Sequence, residues 1–525
     1  MLFTDPVFLF AFLPVVGLIF YWVTPRLGQT AGLIVLLLSS LVFYSPWGWY
    51  NSALLCLSFT VNFVMAYWLL KVPDEREGLR RALHWAGQLY NFGTLFWFKY
   101  SFFFTHMFSS EGNGAFSLVN IAIPIGISFY TFQQAMFLLE AKDRDPHVER
   151  YMGALDGLWN TARSYLRYVV FVIFFPHLVI GPIVYLDEFQ PQVDSPNFGR
   201  FRRSNIEVGL VFLTIGMFKK AVLADNLAPI ANVIFASSEQ GHHMSMLAAW
   251  IGATAYFVQL YFDFSGYADM ALGAARLFGI RYPMNFYSPY KAVGLVDYWR
   301  RFHITLTRVL ARFVYTPLSV AGTRFAMRRK LSRFWGRVMA QWIPLLINFE
   351  MIALWHGARW TFVLFGVTQG IWYVTETEIR RMKWFTGWQA RSPELLRKII
   401  GRAIVTFLMI ISLAAFRSDT ILGFWHIFLQ MFSGDLRGPM PVSLPKSLGL
   451  LAAGFAVLWF MPNAVEFLRR YRPAIVTYDN KMYLMDWAKK IVWRPSFVMS
   501  AIVTVLFAAA LYFIGRQPPF LYMGF

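Results

Sequence analysis

Two histidines stand where an ionisable side chain is expensive to keep. His356 lies in Ile352-Ala-Leu-Trp-His-Gly-Ala-Arg-Trp360, and His303 closes Asp297-Tyr-Trp-Arg-Arg-Phe-His303. Both stretches sit in or beside long apolar, aromatic runs. There an unpaired charge costs several kcal/mol or neutralises itself, so such residues usually have a task. His356 has two readings. It is either a polar residue at the helix break made by Gly357, satisfied by a backbone carbonyl, or a general base taking the proton of an attacking hydroxyl. Burial, and Arg359 one turn further on if the helix resumes, would both favour the neutral ring that a base needs. His303 is surrounded by Arg300, Arg301, Arg308 and Arg312, with Trp299 beside them. That setting reads either as an interfacial belt of snorkelling side chains or as a site for an anionic donor, because clustered guanidinium groups present forked donors to phosphates. No glycine-rich loop in a strand-helix setting is present, so a nucleotide would be held by such side chains.

Other polar groups offer less. Asp263, Ser265 and Asp269 lie inside Gln259-Leu-Tyr-Phe-Asp-Phe-Ser-Gly-Tyr-Ala-Asp-Met270. Two carboxylates six residues apart do not share a helix face, so a catalytic dyad gives way to structural anchoring, expected against backbone at a helix break near Gly266. Asn348 and Glu350 precede His356 and could orient it, though not at helical spacing. His242 and His243 with Glu239 imitate a metal site, but adjacent histidines in a short polar loop read as solvated, and no metal is expected. The single Cys56 rules out an intrachain disulfide and a Cys-rich metal site.

The elements that must carry these residues are membrane spans. The chain of 525 residues is 57% hydrophobic, 19% aromatic and only 14% charged, against roughly 25% charged in soluble domains. This excludes an ordinary soluble enzyme and predicts a single all-α, polytopic body over residues 1–525, with a motif core at about 120–376 and extra spans at about 403–525. The net charge of +20 comes in clusters between apolar spans, as expected for loops facing anionic membrane lipid and not nucleic acid. No basic region precedes the first apolar run, 7–23, so it reads as a retained span with its N-terminus outside and not as a cleaved signal.

Loop charge sorts the sides. Lys71–Arg81, Lys142–Arg167, Arg276–Arg312, Arg324–Arg337, Arg380–Arg402 and Arg469–Arg494 are basic and read as cytoplasmic. Ser109–Ser117, Ser237–Ser245 and Ser433–Leu444 read as external. Phe171–Leu186, broken by Pro176 and Pro182 between two basic flanks, is expected to be re-entrant. The stretches on either side of His356 return to basic loops, placing His356 at the far tip of a hairpin, whereas Trp299–His303 should lie near the cytoplasmic face. The two histidines are thus expected towards opposite ends of the body. After Phe416 the chain turns amphipathic through Leu422, Trp425, Phe428 and Leu429, which predicts a helix at the outer interface.

Several separated stretches resemble one family. Tyr261-Phe-Asp-Phe-Ser-Gly-Tyr-Ala-Asp-Met270, Asn285-Phe286, Trp299-Arg-Arg-Phe-His303, Tyr315-Thr-Pro-Leu318 and Leu354-Trp-His-Gly-Ala358 are similar to the signature of the membrane-bound O-acyltransferases. So, for the bacterial polysaccharide branch, are Ile123–Gln133, Gly181-Pro-Ile-Val184 and Met217–Pro229. The chain departs from the usual pattern at Leu310-Ala-Arg-Phe-Val-Tyr-Thr-Pro-Leu318, which lacks an Arg-Asp pair, and at Arg359, where Asn is more usual. The resemblance implies a ring of transmembrane and re-entrant helices around a central path. It implies an acetyl group taken from a cytoplasmic thioester, acetyl-CoA, to a hydroxyl on the far side, with no permanently bound cofactor. It further implies His356 as the catalytic residue and His303 as the second essential position. The setting is the bacterial inner membrane, with delivery to exopolysaccharide directly or through a periplasmic SGNH-type partner. Alginate, cellulose and peptidoglycan systems all employ such proteins. The alternatives are a teichoic-acid D-alanylation type acyltransferase fed by a carrier-protein thioester, and a non-enzymatic polysaccharide export component.

Overall fold

A computed structural model describes residues 1–108, 123–153, 155–475, 490–514 and 520–521, with side chains left aside at 101–108. The loop Ser109–Ser117 and the middle of Arg469–Arg494 lie outside the described residues. Every regular element described is helical, and the extended pairing is one bridge between Pro283 and Ile475. In chain order the helices used below are α1 Leu13–Leu27, α2 Gln29–Tyr44, α3 Trp49–Lys71, α4 Glu77–Phe108, α5 Ile127–Lys142, α6 Leu158–Ile173, α7 Arg203–Phe218, α8 Asp225–Glu239 and α9 Met246–Leu277. They continue with α10 Leu295–Trp299, α11 Ile304–Leu310, α12 Thr316–Arg328, α13 Ile343–His356, α14 Trp360–Ile379, α15 Lys383–Arg391, α16 Glu394–Arg417, α17 Ile421–Met431, α18 Leu444–Phe460 and α19 Phe497–Ile514. Among the described residues six helical stretches are long and apolar enough to cross a membrane, including those ending at Lys71, His356 and Arg417. The protein is an all-α polytopic membrane protein.

The body is built on α9. Ser245 caps its start, its side chain accepting from Ala248 N at 3.2 Å, and every residue from Ala255 to Leu277 is buried. A helix apolar around its whole circumference has to be wrapped by others. Its closest neighbour is α7, and glycines set the approach. A Cβ on Gly216 would lie 2.5 Å from the Gly266 carbonyl, and one on Gly266 would lie 2.7 Å from the Gly216 carbonyl. Small residues at facing positions let two backbones touch where lipid offers no hydrophobic drive. Gly266 therefore marks a helix crossing and not the helix break expected from the sequence, because α9 runs through it unbroken.

The same crossing explains the intramembrane acids. Beyond α7 the chain makes a wide π-type turn, Lys219–Ala224, that aims two buried lysines at α9. Lys219 Nζ meets Asp269 Oδ2 at 2.6 Å, and Lys220 Nζ meets Asp263 Oδ1 at 2.6 Å and Asp225 Oδ1 at 2.8 Å. The anchoring role expected of Asp263 and Asp269 holds, but the partners are lysines, joined at Asp263 by the Leu521 N–H at 3.1 Å, and not backbone at a helix break.

Two apolar segments are not simple spans. Residues 168–184 are buried and fold as the end of α6, one short turn at Phe175–Leu178 and irregular backbone, the kind that survives at depth only inside protein. Residues 297–320 are broken at His303, which adopts left-handed φ 49° between α10 and α11. After Arg417 the chain does turn into a short amphipathic helix, α17, exposing Leu422, Trp425 and Leu429.

Candidate active site

His356 is the last residue of α13, at the tip of the α13–α14 hairpin. The helix stops there because Gly357 and the two residues after it leave helical geometry before α14 begins at Trp360. The tip is held from a distant part of the chain. Lys99 of α4 donates from Nζ to the Trp355 carbonyl at 2.5 Å, and the Tyr100 hydroxyl donates to the Leu354 carbonyl. A cation beside the last carbonyls of a helix complements its dipole. Arg359, expected beside His356, instead pairs with Asp419 at 2.7 Å, because the break turns it outward. Glu350 faces Gly366 of α14.

His303 is held by Asn285. Asn285 Oδ1 accepts from Thr305 N at 3.3 Å and from Thr305 Oγ1 at 3.0 Å, and lies 3.1 Å from His303 Nδ1. Because that atom accepts from a backbone N–H, it is the amide oxygen, so Nδ1 of His303 carries the proton and Nε2 bears the lone pair. The Ile304 N–H donates to the Asn285 carbonyl at 3.0 Å and the Tyr287 N–H to the Arg301 carbonyl at 2.9 Å, fixing the whole turn.

The histidines are not at opposite ends. Both line one narrow cavity with Trp299, Phe365, Leu413 and Phe416, and the Trp355 ring lies 5.5 Å from that of His303 and 4.9 Å from that of His356. Arg300 is exposed, but the buried segment 284–288 draws the turn inward, so that His303 is already inside. The cavity measures about 20 Å³, room for roughly one water. It shares Trp299, Thr307 and Ile352 with a vestibule of about 460 Å³ that Arg300, Tyr315, Gln341 and Thr377 also line. Trp299, the dividing wall, donates from Nε1 to Gln369 Oε1 at 3.0 Å, and Gln369 Nε2 donates to Ser412 Oγ at 2.8 Å.

The four arginines do not converge. Arg301 is buried against Asp297 at 2.7 Å, Arg308 is clasped by Glu188 and lies 3.9 Å over the Tyr185 ring, and Arg312 reaches Glu140 at 3.2 Å. Arg300 alone of the four lines the vestibule. His243 faces Asp435 at 2.9 Å, while Glu239 accepts from Asp419 N, Thr420 N and Thr420 Oγ1. Among the described residues no three His, Cys, Asp or Glu side chains gather as metal ligands would. Sequence reasoning missed Lys99, Gln369 and the role of Asn285. Only Asn285 carried a signal, its place beside Phe286 in a family-like stretch.

The description "MBOAT, membrane-bound O-acyltransferase family" fits residues 158–416, a range holding both histidines and the vestibule. The chain is 36% identical to a peptidoglycan O-acetyltransferase of Helicobacter pylori, covering 71% of this chain and 69% of that one. It is 31% identical to a probable alginate O-acetylase of Pseudomonas aeruginosa, covering 82% and 75%. It is 29% identical to a probable alginate O-acetylase of Azotobacter vinelandii over the whole of both chains.

Proposed function

Because this chain belongs to the membrane-bound O-acyltransferase family and is a membrane O-acyltransferase, we propose that the group it moves is acetyl. In this reading the donor is acetyl-CoA, and the acceptor is a hydroxyl of an exopolysaccharide or of a periplasmic SGNH-type partner that completes delivery. The protein would sit in the inner membrane of a bacterial cell. Supporting this choice, the relatives named above are described as O-acetyltransferases or O-acetylases of polysaccharide.

The observation that carries the reading is the meeting of two histidines in one narrow cavity that adjoins a larger vestibule. The thioester arm enters from the vestibule, with a donor phosphate near Arg300. His356 takes the proton of the acceptor hydroxyl, and the oxygen attacks the thioester carbonyl. The C–S bond breaks, and the proton held on His356 returns to the leaving thiolate. No metal or redox partner is required for this balance. General-base help contributes about 10² to 10⁴ in rate, the remainder coming from positioning. His303, with Nδ1–H spent on Asn285, is a positioning residue that offers Nε2 as an acceptor.

The test uses full-length protein in nanodiscs, following free CoA release from acetyl-CoA in the presence of acceptor. Release by wild type and its loss in His356→Ala supports the reading. Turnover only with a carrier-protein thioester moves it to D-alanylation, and the absence of thioester consumption with any donor returns it to an export component.

A further inference from the structure

A second large cavity lies along a different face of α14 from the vestibule and takes no part in the reaction above. It measures about 500 Å³ and is lined by α14, α15, α16 and the stretch Val293–Leu295. Its wall is mostly apolar, from Trp372 of α14, Phe385 and Trp388 of α15, and Ile404 and Leu408 of α16. One rim is charged. Arg380, Arg397 and Lys398 line it against Glu376 and Glu394, three cations to two carboxylates, so the rim is positive.

Those carboxylates are already engaged. Glu376 accepts from Arg380 Nε at 2.6 Å and caps α10 by accepting from the amides of Leu295 and Val296. Glu394 meets Lys398 at 2.5 Å, and Arg397 donates from Nη1 to the Gln389 carbonyl at 2.7 Å.

Depth identifies the occupant. Along α16 the cavity wall runs from Glu394 to Leu408, and its part beyond the charged rim, Lys398 to Leu408, spans about 15 Å at 1.5 Å per residue, half the roughly 30 Å hydrocarbon thickness of a bilayer. The short helix α15 marks the interface, with exposed Trp384 beside Lys383, as tryptophans do at headgroup level. An apolar slot one leaflet deep, with a cationic rim at headgroup level, matches a single amphiphile with an anionic head. We propose that this cavity binds one anionic glycerophospholipid, its phosphate at Arg397 and Lys398 and an acyl chain lying along α16 towards Leu408. The occupant would seat α15 and α16 against the Glu376 cap of α10, the helix that ends at Trp299.

The test is native mass spectrometry of delipidated full-length protein titrated with phosphatidylglycerol or phosphatidylcholine of equal chain length. Wild type should retain one phosphatidylglycerol at least about 10-fold more tightly than phosphatidylcholine. Arg397→Ala/Lys398→Ala should erase that headgroup preference. Ile404→Trp, which fills the slot at an exposed position, should remove the retained lipid whatever its head. Thermal unfolding midpoints in detergent check that each variant is folded. Equal binding of the two lipids by wild type, unchanged retention by folded variants, or only a graded shell of exchangeable lipids would each overturn the proposal. None of these outcomes depends on the acetyl-transfer reading.

Discussion

Two buried polar clusters flank α9, and they solve the same problem in opposite ways. On one side Lys219, Lys220, Asp225, Asp263 and Asp269 form ion pairs at 2.6 to 2.8 Å, with the glycine crossing of α7 and α9 beside them. On the other, Phe264 of α9 packs 4.8 Å from His303, which shares a cavity with His356. Matched charges in apolar surroundings satisfy each other and leave nothing for a substrate. Imidazoles that line a space can meet a molecule. Polarity in a membrane span is therefore a poor guide to chemistry until one asks whether the group faces a partner or a cavity.

The largest effect that separates the two sides is catalytic. His356→Ala should lower acyl transfer about 10² to 10⁴-fold while the protein accumulates in the membrane with its unfolding midpoint little changed. Retention of transfer would break the contrast at its catalytic side. The ionic side should respond in stability. Asp269→Leu leaves Lys219 charged and buried, a loss of about 3–5 kcal/mol, read as poor accumulation and a lower unfolding midpoint. Lys219→Met/Asp269→Leu removes both charges and should recover most of that loss, with transfer per folded molecule near wild type. Should the double variant fold and yet fail to transfer, the ion pairs would belong to the chemistry after all.

Much of this contrast was legible beforehand. Apolar run lengths and loop charge predicted an all-helical membrane body, a hairpin with His356 at its tip, a buried broken segment after Phe171 and the amphipathic helix after Phe416. What failed was the meeting of distant segments. Nothing local in Asp297–His303 says that the turn is drawn inward by Asn285, or in Lys219-Lys220 that a wide turn aims both at α9. Arginines read as an interfacial belt or a site for an anionic donor form three intraprotein ion pairs and leave one exposed side chain, since a sequence shows clustering along the chain but not the carboxylates at Glu140 and Glu188 that meet it. Gly266, read as a break, is a crossing, because glycine serves either purpose and only the facing residue, Gly216, decides between them.

A smaller effect tests how the histidine side is held. Asn285→Leu removes the acceptor that fixes the His303 tautomer and should lower kcat about 10-fold, near the 1.4 kcal/mol of one hydrogen bond, with KM for the donor little changed. A rise in KM alone would make Asn285 part of donor binding instead of a support for His303.

The smallest expected effect lies at the vestibule. Arg300 is exposed where Arg301, Arg308 and Arg312 are committed to Asp297, Glu188 and Glu140, so under the proposed reaction its guanidinium would attract the anionic donor across solvent. Such an interaction is screened beyond about 8–10 Å at ordinary ionic strength and is worth on the order of 1 kcal/mol. Arg300→Ala should then raise KM for acetyl-CoA about 3 to 6-fold, leave kcat alone and lose its effect as salt is raised. By contrast Arg308→Ala should leave the buried Glu188 carboxylate without its partner and damage stability, with little salt dependence. If the two variants behave alike, all four arginines act on the donor together, and the division between committed and available charge does not extend to this end of the molecule.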